Sequence, residues 1–307
     1  MEKQFVKWLV EKYHVRGGDA AVGVGDDSAV IDLPSTQIVV STDSISDGTH
    51  FDVNKHSLEE IGHKSLAVSL SDIAAMGARP LFATVNFTCP STFGLSEVQR
   101  LFDAIWQTGQ QFDVSIVGGD TNRWDGKLVV SSTVFGTGFP GMAGKYWAMS
   151  GGRPGDQILV SGELGGSILG KHVAFTPRVE LAKRIASRYV ITAATDITDS
   201  LALDLAALAE QSDCGFRVSR EKIPTTDDAQ QLAMASSRSP GYHALYDGED
   251  FELILCAELS IAEKMLADPA LDVRLTRIGE LTQDQSFLIK ESESADFVPL
   301  EIKGFEH

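Results

Sequence analysis

The chain has 307 residues, enough for one large or two ordinary domains with a substantial core. At 43% apolar and 22% charged residues its composition is that of an ordinary globular protein. A net charge of −17 argues against a non-specific grip on nucleic acid or on an anionic membrane. No apolar run is long enough for a transmembrane helix. The acidity adds one constraint: an anionic ligand needs cations between it and the protein.

In chain order, the opening "MEKQFVKWLVEKY" is charged and amphipathic, unlike a signal peptide. "QIVVSTD" (37–43) is short and β-branched and reads as a strand. Residues 57–80 read as a helix: Ser57 with Glu60 forms a capping box, Gly77 suits the C-terminal stop, and Pro80 follows. A second helix is expected over 95–111. At "SIVGGDTNR" (115–123) the apolar run Val114, Ile116, Val117 reads as a buried strand that stops at Gly118-Gly119 and delivers Asp120. "KLVVSSTVFGTG" (127–138) is a further strand. The glycine-rich loop 138–156 marks a domain boundary, giving domains 1–138 and 139–307. Beyond it come the strand "QILVSG", a helix opened by Thr176-Pro177, a helix after "DITDS" and the strand "FELILCAEL" (251–259). This alternation places the fold in the α/β or α+β class. Cys89, Cys214 and Cys256 are far apart, so neither a disulfide framework nor a CxxC metal knuckle is expected, and a reducing cytoplasm fits best.

Acids recur at strand ends. "GVGDDSAV" reaches Asp26-Asp27, "IVVSTD" ends at Thr42-Asp43, and "SIVGGD" ends at Asp120. Asp72 interrupts the apolar helix "LAVSLSDIAAMGA", and "ATDITDSLALDL" supplies Asp196 and Asp199. Singly, each has an ordinary structural reading: a turn aspartate, an N-cap for Asp199, a narrow polar stripe for Asp72. Together they repel unless cations bind or protons are taken up. Carboxylates and the Thr42 hydroxyl are oxygen ligands suited to Mg²⁺, which commonly bridges protein carboxylates to phosphates. Gly25, Gly118 and Gly119 beside the acids would let backbone N–H groups approach those phosphates. No GxxxxGK[ST] loop, no kinase HRD or DFG signature and no HExxH pattern occurs. "GVGDDS" is only a fragment of a dinucleotide loop. His50 and His63 read as local hydrogen-bonding residues rather than zinc ligands.

At these positions the chain resembles the thiamine-monophosphate kinase family, within the superfamily of aminoimidazole ribonucleotide synthetase and selenophosphate synthetase. "GVGDDSAV", "VVSTDSISDGTHF", "IGHKSLAVSLSDIAAMGARP", "IVGGDTNR", "SGGRPGDQILVSG", "TPRVELA", "ATDITDSLALDL", "YDGEDFELIL" and "IKGFEH" follow the family's order nearly end to end. The resemblance implies ATP- and Mg²⁺-dependent phosphorylation of thiamine monophosphate to thiamine diphosphate by direct in-line transfer. The acceptor is already a phosphate anion, so no general base is called for. It further implies several Mg²⁺ ions on Asp27, Thr42, Asp43, Asp72, Asp120, Asp196 and Asp199. ATP contacts are implied at Phe102, Gly119, Asp120 and Thr198, and thiamine-side contacts at His50, Glu249 and Phe305. An aromatic such as Phe305 can stack on a flat cationic ligand. The implied fold has two α/β domains with mixed sheets, the first sheet pairing with its twin in a cytoplasmic homodimer.

The sequence departs from the family pattern at four places. Ser200 replaces a glycine in "DITDS", where a Cβ would matter if the backbone needed positive φ. Gly166 stands where an aspartate is usual, Met149 where an arginine is usual, and the connection from "GGSILGK" to "TPRVEL" is short. Two other functions therefore stay open: another ATP-using enzyme of the superfamily, and a non-catalytic nucleotide- or thiamine-phosphate-binding protein.

Overall fold

A computed structural model describes residues 20–22, 28–33, 36–142 and 146–305. The first half forms a sheet of β1 (Ala20–Val22), β2 (Ala29–Leu33), β3 (Thr36–Ser46), β4 (Ala78–Pro90), β5 (Ser115–Trp124) and β6 (Val129–Gly138). Its order is β1-β2-β3-β6-β4-β5, antiparallel except for the β4–β5 pair. Helix α1 (Leu58–Ala75) lies against β3, β4 and β6, and α2 (Leu95–Gln111) packs on α1.

The Ser57 capping box forms as expected: the Ser57 hydroxyl accepts from Glu60 N–H at 3.2 Å, and Glu60 accepts from Ser57 N–H at 2.7 Å. The helix is shorter than its apolar pattern suggests. It stops at Ala75; Gly77 follows at φ +59°, where a Cβ would strike the buried Trp147 indole. Residues 78–90, whose first three were read as helix or helix stop, form β4. Pro80 sits in that strand, at an irregularity in its pairing with β6.

β5 also differs from its sequence reading. It does not stop at the glycines but runs through them to Trp124, and it is an edge strand rather than a buried one; Val117 is 59% exposed. Gly119, at φ +155°, has no room for a Cβ, which would overlap the Val85 carbonyl of β4. At least part of the reason for a glycine here is thus the neighbouring strand.

The second half contains β7 (Gln157–Ser161), α3 (Lys171–Ala174), α4 (Val179–Ala186), β8 (Ala193–Asp196), α5 (Leu201–Gln211), β9 (Gly215–Ser219), α6 (Asp227–Ser236), α7 (Pro240–Tyr246), β10 (Leu253–Ala257), α8 (Leu259–Leu266), β11 (Leu275–Thr282), β12 (Phe287–Lys290) and β13 (Val298–Pro299). The sheet order is β13-β12-β9-β11-β7-β10-β8, with only β12–β9 parallel. α4 is preceded by Arg178 as its N-cap, so Pro177 lies before the helix instead of opening it.

β7 and β10 are buried on both faces, and their alternation divides two cores. Leu159, Leu253 and Leu255 join a cluster that includes α1 and the first sheet. Ile158, Val160, Ile254 and Cys256 face the other way, into a cluster with Leu201 and Leu205 of α5. One core therefore crosses from the first sheet to the second. The three cysteines are free and buried. Among the described residues no helix is long and apolar enough to cross a membrane.

Gly119→Ala is expected to destabilise the protein by at least about 2 kcal/mol, because backbone and strand must both move. Gly118→Ala, whose Cβ would meet only Thr84 Cγ2 at 3.9 Å, should stay within about 1 kcal/mol of the parent protein. Urea denaturation of the two variants checks the contrast.

Candidate functional site

The period of a strand meets the period of a helix where β3 crosses α1. Ser41 and Asp43 share one face of β3 because side chains alternate along a strand. Ser69 and Asp72 share one face of α1 because residues three apart are neighbours on a helix. The Ser41 hydroxyl donates to Asp72, and the Ser69 hydroxyl donates to Asp43 at 2.7 Å, so each element's serine holds the other's carboxylate. Ser71, next on the helix, donates to Asp196 at the end of β8, which brings in the second half of the chain.

Asp196 is 2% exposed. Burial pushes its carboxyl up to about 7; the Ser71 hydroxyl opposes the rise, while the charges of Asp43 and Asp199 add to it. Asp199 follows in the same loop. Thr198, Asp199 and Ser200 all donate backbone N–H groups to Asp204, at 2.9, 3.1 and 3.1 Å. Burial nevertheless drives the Asp204 carboxyl upward, with the Asp199 charge contributing.

Thr42 falls between Ser41 and Asp43, so its side chain takes the opposite face of β3. Its hydroxyl meets Thr133 Oγ1 at 2.9 Å and the Ser132 carbonyl at 3.2 Å. Asp27 lies outside the described residues. Asp120 is three strands from β3, about 14 Å at the usual spacing, with its carboxylate accepting from Thr121 N–H and Asn122 Nδ2 at 2.8 and 3.0 Å. Among the described residues no group of three His, Cys, Asp or Glu side chains could by itself hold a metal ion.

Asp120 and Gly119 instead join Phe102 in lining a cleft of about 480 Å³ between α2 and the β4–β5 edge, floored by Val85 and Phe87. Phe102 is 36% exposed and meets Phe87 edge-on at 6.4 Å. Thr198 lies in the β8–α5 loop, outside the residues that line this cleft.

The expected thiamine-side residues occupy a third region. His50 Nδ1 accepts from Ser46 N–H at 3.0 Å. Glu249 has φ +51° and Phe251 φ +52°, both in the left-handed region. Their backbone N–H groups bond the Thr198 and Ile197 carbonyls at 2.7 and 2.9 Å, closing the "DGED" turn over the Asp196–Asp199 loop. Phe305 N–H reaches the Asp199 carbonyl at 2.9 Å, placing the C-terminal "KGF" on that loop too. Sequence reading missed Lys64, which is wholly buried on α1 and donates to the His50 carbonyl at 2.8 Å and to Glu249 Oε1 at 2.6 Å. A lysine directly before the run "SLAVSL" in the middle of the helix was the available signal. It also missed Glu252, buried under Arg178, Lys171 and Ser161, with Arg178 Nε at 2.7 Å.

The departures from the family pattern have local explanations. Ser200 has φ 168°, extended backbone that any residue adopts. It caps α5 by accepting from Leu203 N–H at 3.0 Å and donates to the Lys303 carbonyl at 2.9 Å. The anticipated need for glycine does not arise. Gly166 is left-handed at φ +77°, and a Cβ there would lie 2.6 Å from Ala229 N, so this backbone excludes an aspartate. Met149 Sδ accepts from Gln211 Nε2 at 3.0 Å. The short connection is filled by α3, whose His172 meets His56 edge-on at 5.1 Å.

Acidic side chains from both halves meet on one buried helix, and a separate cleft lies at Phe102, Gly119 and Asp120, which together define a mixed α/β protein with a polar site shared by its two halves. Residues 25–138 match the family model "AIR synthase related protein, N-terminal domain", and residues 153–290 match "AIR synthase related protein, C-terminal domain". The chain is 36% identical over 315 residues to the thiamine-monophosphate kinase of Rhodopirellula baltica, covering 100% of this chain and 97% of the relative. Among solved structures, the thiamine-monophosphate kinase of Stenotrophomonas maltophilia K279a superimposes with TM-score 0.74 at 29% identity, covering 93% of this chain and 95% of that one. A structure of "AaThiL complexed with AMPPCP and TMP" shares the fold at TM-score 0.82 and 23% identity, covering 96% and 95%. The chain belongs to the thiamine-monophosphate kinase family of AIR synthase related proteins.

A carboxyl whose folded pKa is raised binds a proton more tightly folded than unfolded. For Asp196, and for Asp250, which burial likewise pushes up to about 7, stability therefore falls as pH rises from about 4 to about 7. With chelator present, Asp196→Asn should raise stability at pH 8 by on the order of 2 kcal/mol and flatten the loss between pH 6 and pH 8. Thermal unfolding at both pH values reads this; an unchanged slope would refute it.

Proposed function

We propose that the protein transfers the γ-phosphoryl group of ATP to the phosphate of thiamine monophosphate, giving thiamine diphosphate and ADP. The observation that carries this reading is the serine-held set Asp43, Asp72 and Asp196, drawn from both halves onto α1. Family membership and the cleft at Phe102, Gly119 and Asp120 support it.

The donor set suits a hard divalent cation: every ligating atom is oxygen, and burial with neighbouring charges leaves Asp196 short of positive charge. Asp27, Thr42, Asp43, Asp72, Asp120, Asp196 and Asp199 would hold Mg²⁺ ions, with water and phosphate oxygens completing the coordination. When bound, Mg²⁺ lowers the repulsion between the two phosphate anions. The chain's own part is positioning. The cleft beside Phe102 and Gly119 would receive the nucleotide, with Asp120 and Thr198 as its phosphate-side contacts. His50, Glu249 and Phe305 receive the thiamine part. On α1, Lys64 stands five to eight residues from Ser69 and Asp72, about 8–12 Å along the helix. On this reading the carboxylates lie between the two ligand regions, the arrangement that in-line transfer requires. No side chain need act as base, because the attacking oxygen is already anionic.

This reading extends to two domains, 1–138 and 139–307, and to a cytoplasmic homodimer paired through the first sheet. Exposed Phe82, Val117 and Trp124 on β4 and β5 support such pairing. The non-catalytic alternative was motivated by Met149, Gly166 and Ser200, and the fold accommodates Gly166 and Ser200 without disturbing the carboxylates.

Purified protein with ATP, Mg²⁺ and thiamine monophosphate is expected to form thiamine diphosphate. Asp120→Asn should lower the rate at least about a hundredfold, and chelation should abolish it. Nucleotide binding with no product from any thiamine phosphate would overturn the proposal in favour of a binding protein; product from another phosphorylated acceptor would favour a different superfamily enzyme.

A further inference from the structure

Lys64 is the one fully buried lysine among the described residues, and the chemistry above does not use it. Its ammonium joins three segments: its own helix, the β3–α1 loop through the His50 carbonyl at 2.8 Å, and the "DGED" turn through Glu249 Oε1 at 2.6 Å. The Phe251 ring lies 6.0 Å away. Burial lowers the Lys64 pKa and the Glu249 charge opposes that, as expected for an ammonium that depends on its partner.

The contact constrains Glu249 more than it constrains Lys64. Glu249 is an L-residue at φ +51°, with its N–H fixed on the Thr198 carbonyl, so its side chain leaves the turn in one direction. Oε1 is taken by Lys64, and no protein donor among the described residues bonds Oε2. The side chain remains 22% exposed, so Oε2 is the acceptor open to a ligand. A carboxylate clamped on one oxygen and open on the other suits a flat heterocycle bearing an amine or ring N–H donor. The same lysine fixes the backbone at His50, the other side of the same region.

We infer that Lys64 is a positioning residue for the heterocyclic substrate: it clamps Glu249 Oε1 and the His50 carbonyl so that Glu249 Oε2 faces the ligand. The inference rests on the reading of Glu249 as a thiamine-side contact.

The test compares Lys64→Met, Glu249→Gln and the double variant, measuring kcat, KM for thiamine monophosphate, KM for ATP and Tm. Lys64→Met keeps the apolar stem and removes the clamp. It should raise KM for thiamine monophosphate about ten- to a hundredfold while KM for ATP changes less than about threefold. Adding Lys64→Met to Glu249→Gln should raise KM for thiamine monophosphate by less than about threefold, because most of the effect of the clamp runs through the Glu249 carboxylate and only the His50 contact remains to be lost. If Lys64→Met alone does not fold, the double variant, which leaves no unpaired buried charge, is compared with Glu249→Gln for the same result. An unaltered KM for thiamine monophosphate, a parallel rise in both KM values with loss of Tm, or a further rise of about tenfold in the double variant would overturn the inference. Parent protein that makes no thiamine diphosphate would sink the proposed function and this inference with it; parent turnover with an unaffected Lys64→Met variant would sink this inference alone.

Discussion

The exchange of serine hydroxyls and carboxylates between β3 and α1 is the constraint on which the rest of the molecule depends. It requires the strand to present Ser41 and Asp43 on the face that the helix meets with Ser69 and Asp72. A shift of one residue along β3 would turn both groups to the other face, where Thr42 now sits. The register is therefore set by polar contacts as well as by burial of Val39 and Ile45 on either side. Acidic groups this close would separate the elements if left uncompensated, and the serines supply part of the compensation. The remainder of the charge is what a divalent cation and a phosphate would share.

α1 also explains why the two sheets share one core. It is buried along most of its length, and three of its polar residues reach three different segments: Lys64 the "DGED" turn, Ser69 the strand β3, Ser71 the strand end at Asp196. Around it, Leu159, Leu253 and Leu255 of the second sheet share a core with the first. A site assembled on such a helix inherits its rigidity, which suits chemistry that depends on holding two anions in line. Further out, Glu252 is neutralised by Arg178 and Lys171, and the Gly165 and Gly166 N–H groups bond Asp250 and Asp247 at 2.8 and 3.0 Å. This second network fixes the turn that carries Glu249.

Much of this was legible in the sequence because it is local. The Ser57 capping box, the helix over 95–111 and the strands at 37–43 and 127–138 all follow from patterns a few residues long; the acids expected at strand ends are at an end only for Asp196, while Asp43 and Asp120 lie inside β3 and β5, because cross-strand pairing carries both strands past them. The misreadings arose where long-range pairing overrode local pattern. β4 was absorbed into the preceding helix because small apolar residues run on without a turn signal beyond Gly77. β5 was taken as buried because Val114, Ile116 and Val117 are apolar, yet its place at the sheet edge leaves Val117 in solvent.

The sequence by itself determined the chemical inventory: oxygen ligands, glycines beside them, and motifs whose order identifies the family. These are properties of residue type and spacing, and they survive any arrangement of the elements. Tertiary structure alone decided which of those groups meet. It placed Asp196 beside Ser71 across 125 residues of chain and Glu249 beside Lys64 across 185, and it set Asp120 apart in a cleft with Phe102. The physical reason is that burial and electrostatic pairing act between segments brought together by the core, and no local pattern records which distant segment a buried side chain will meet.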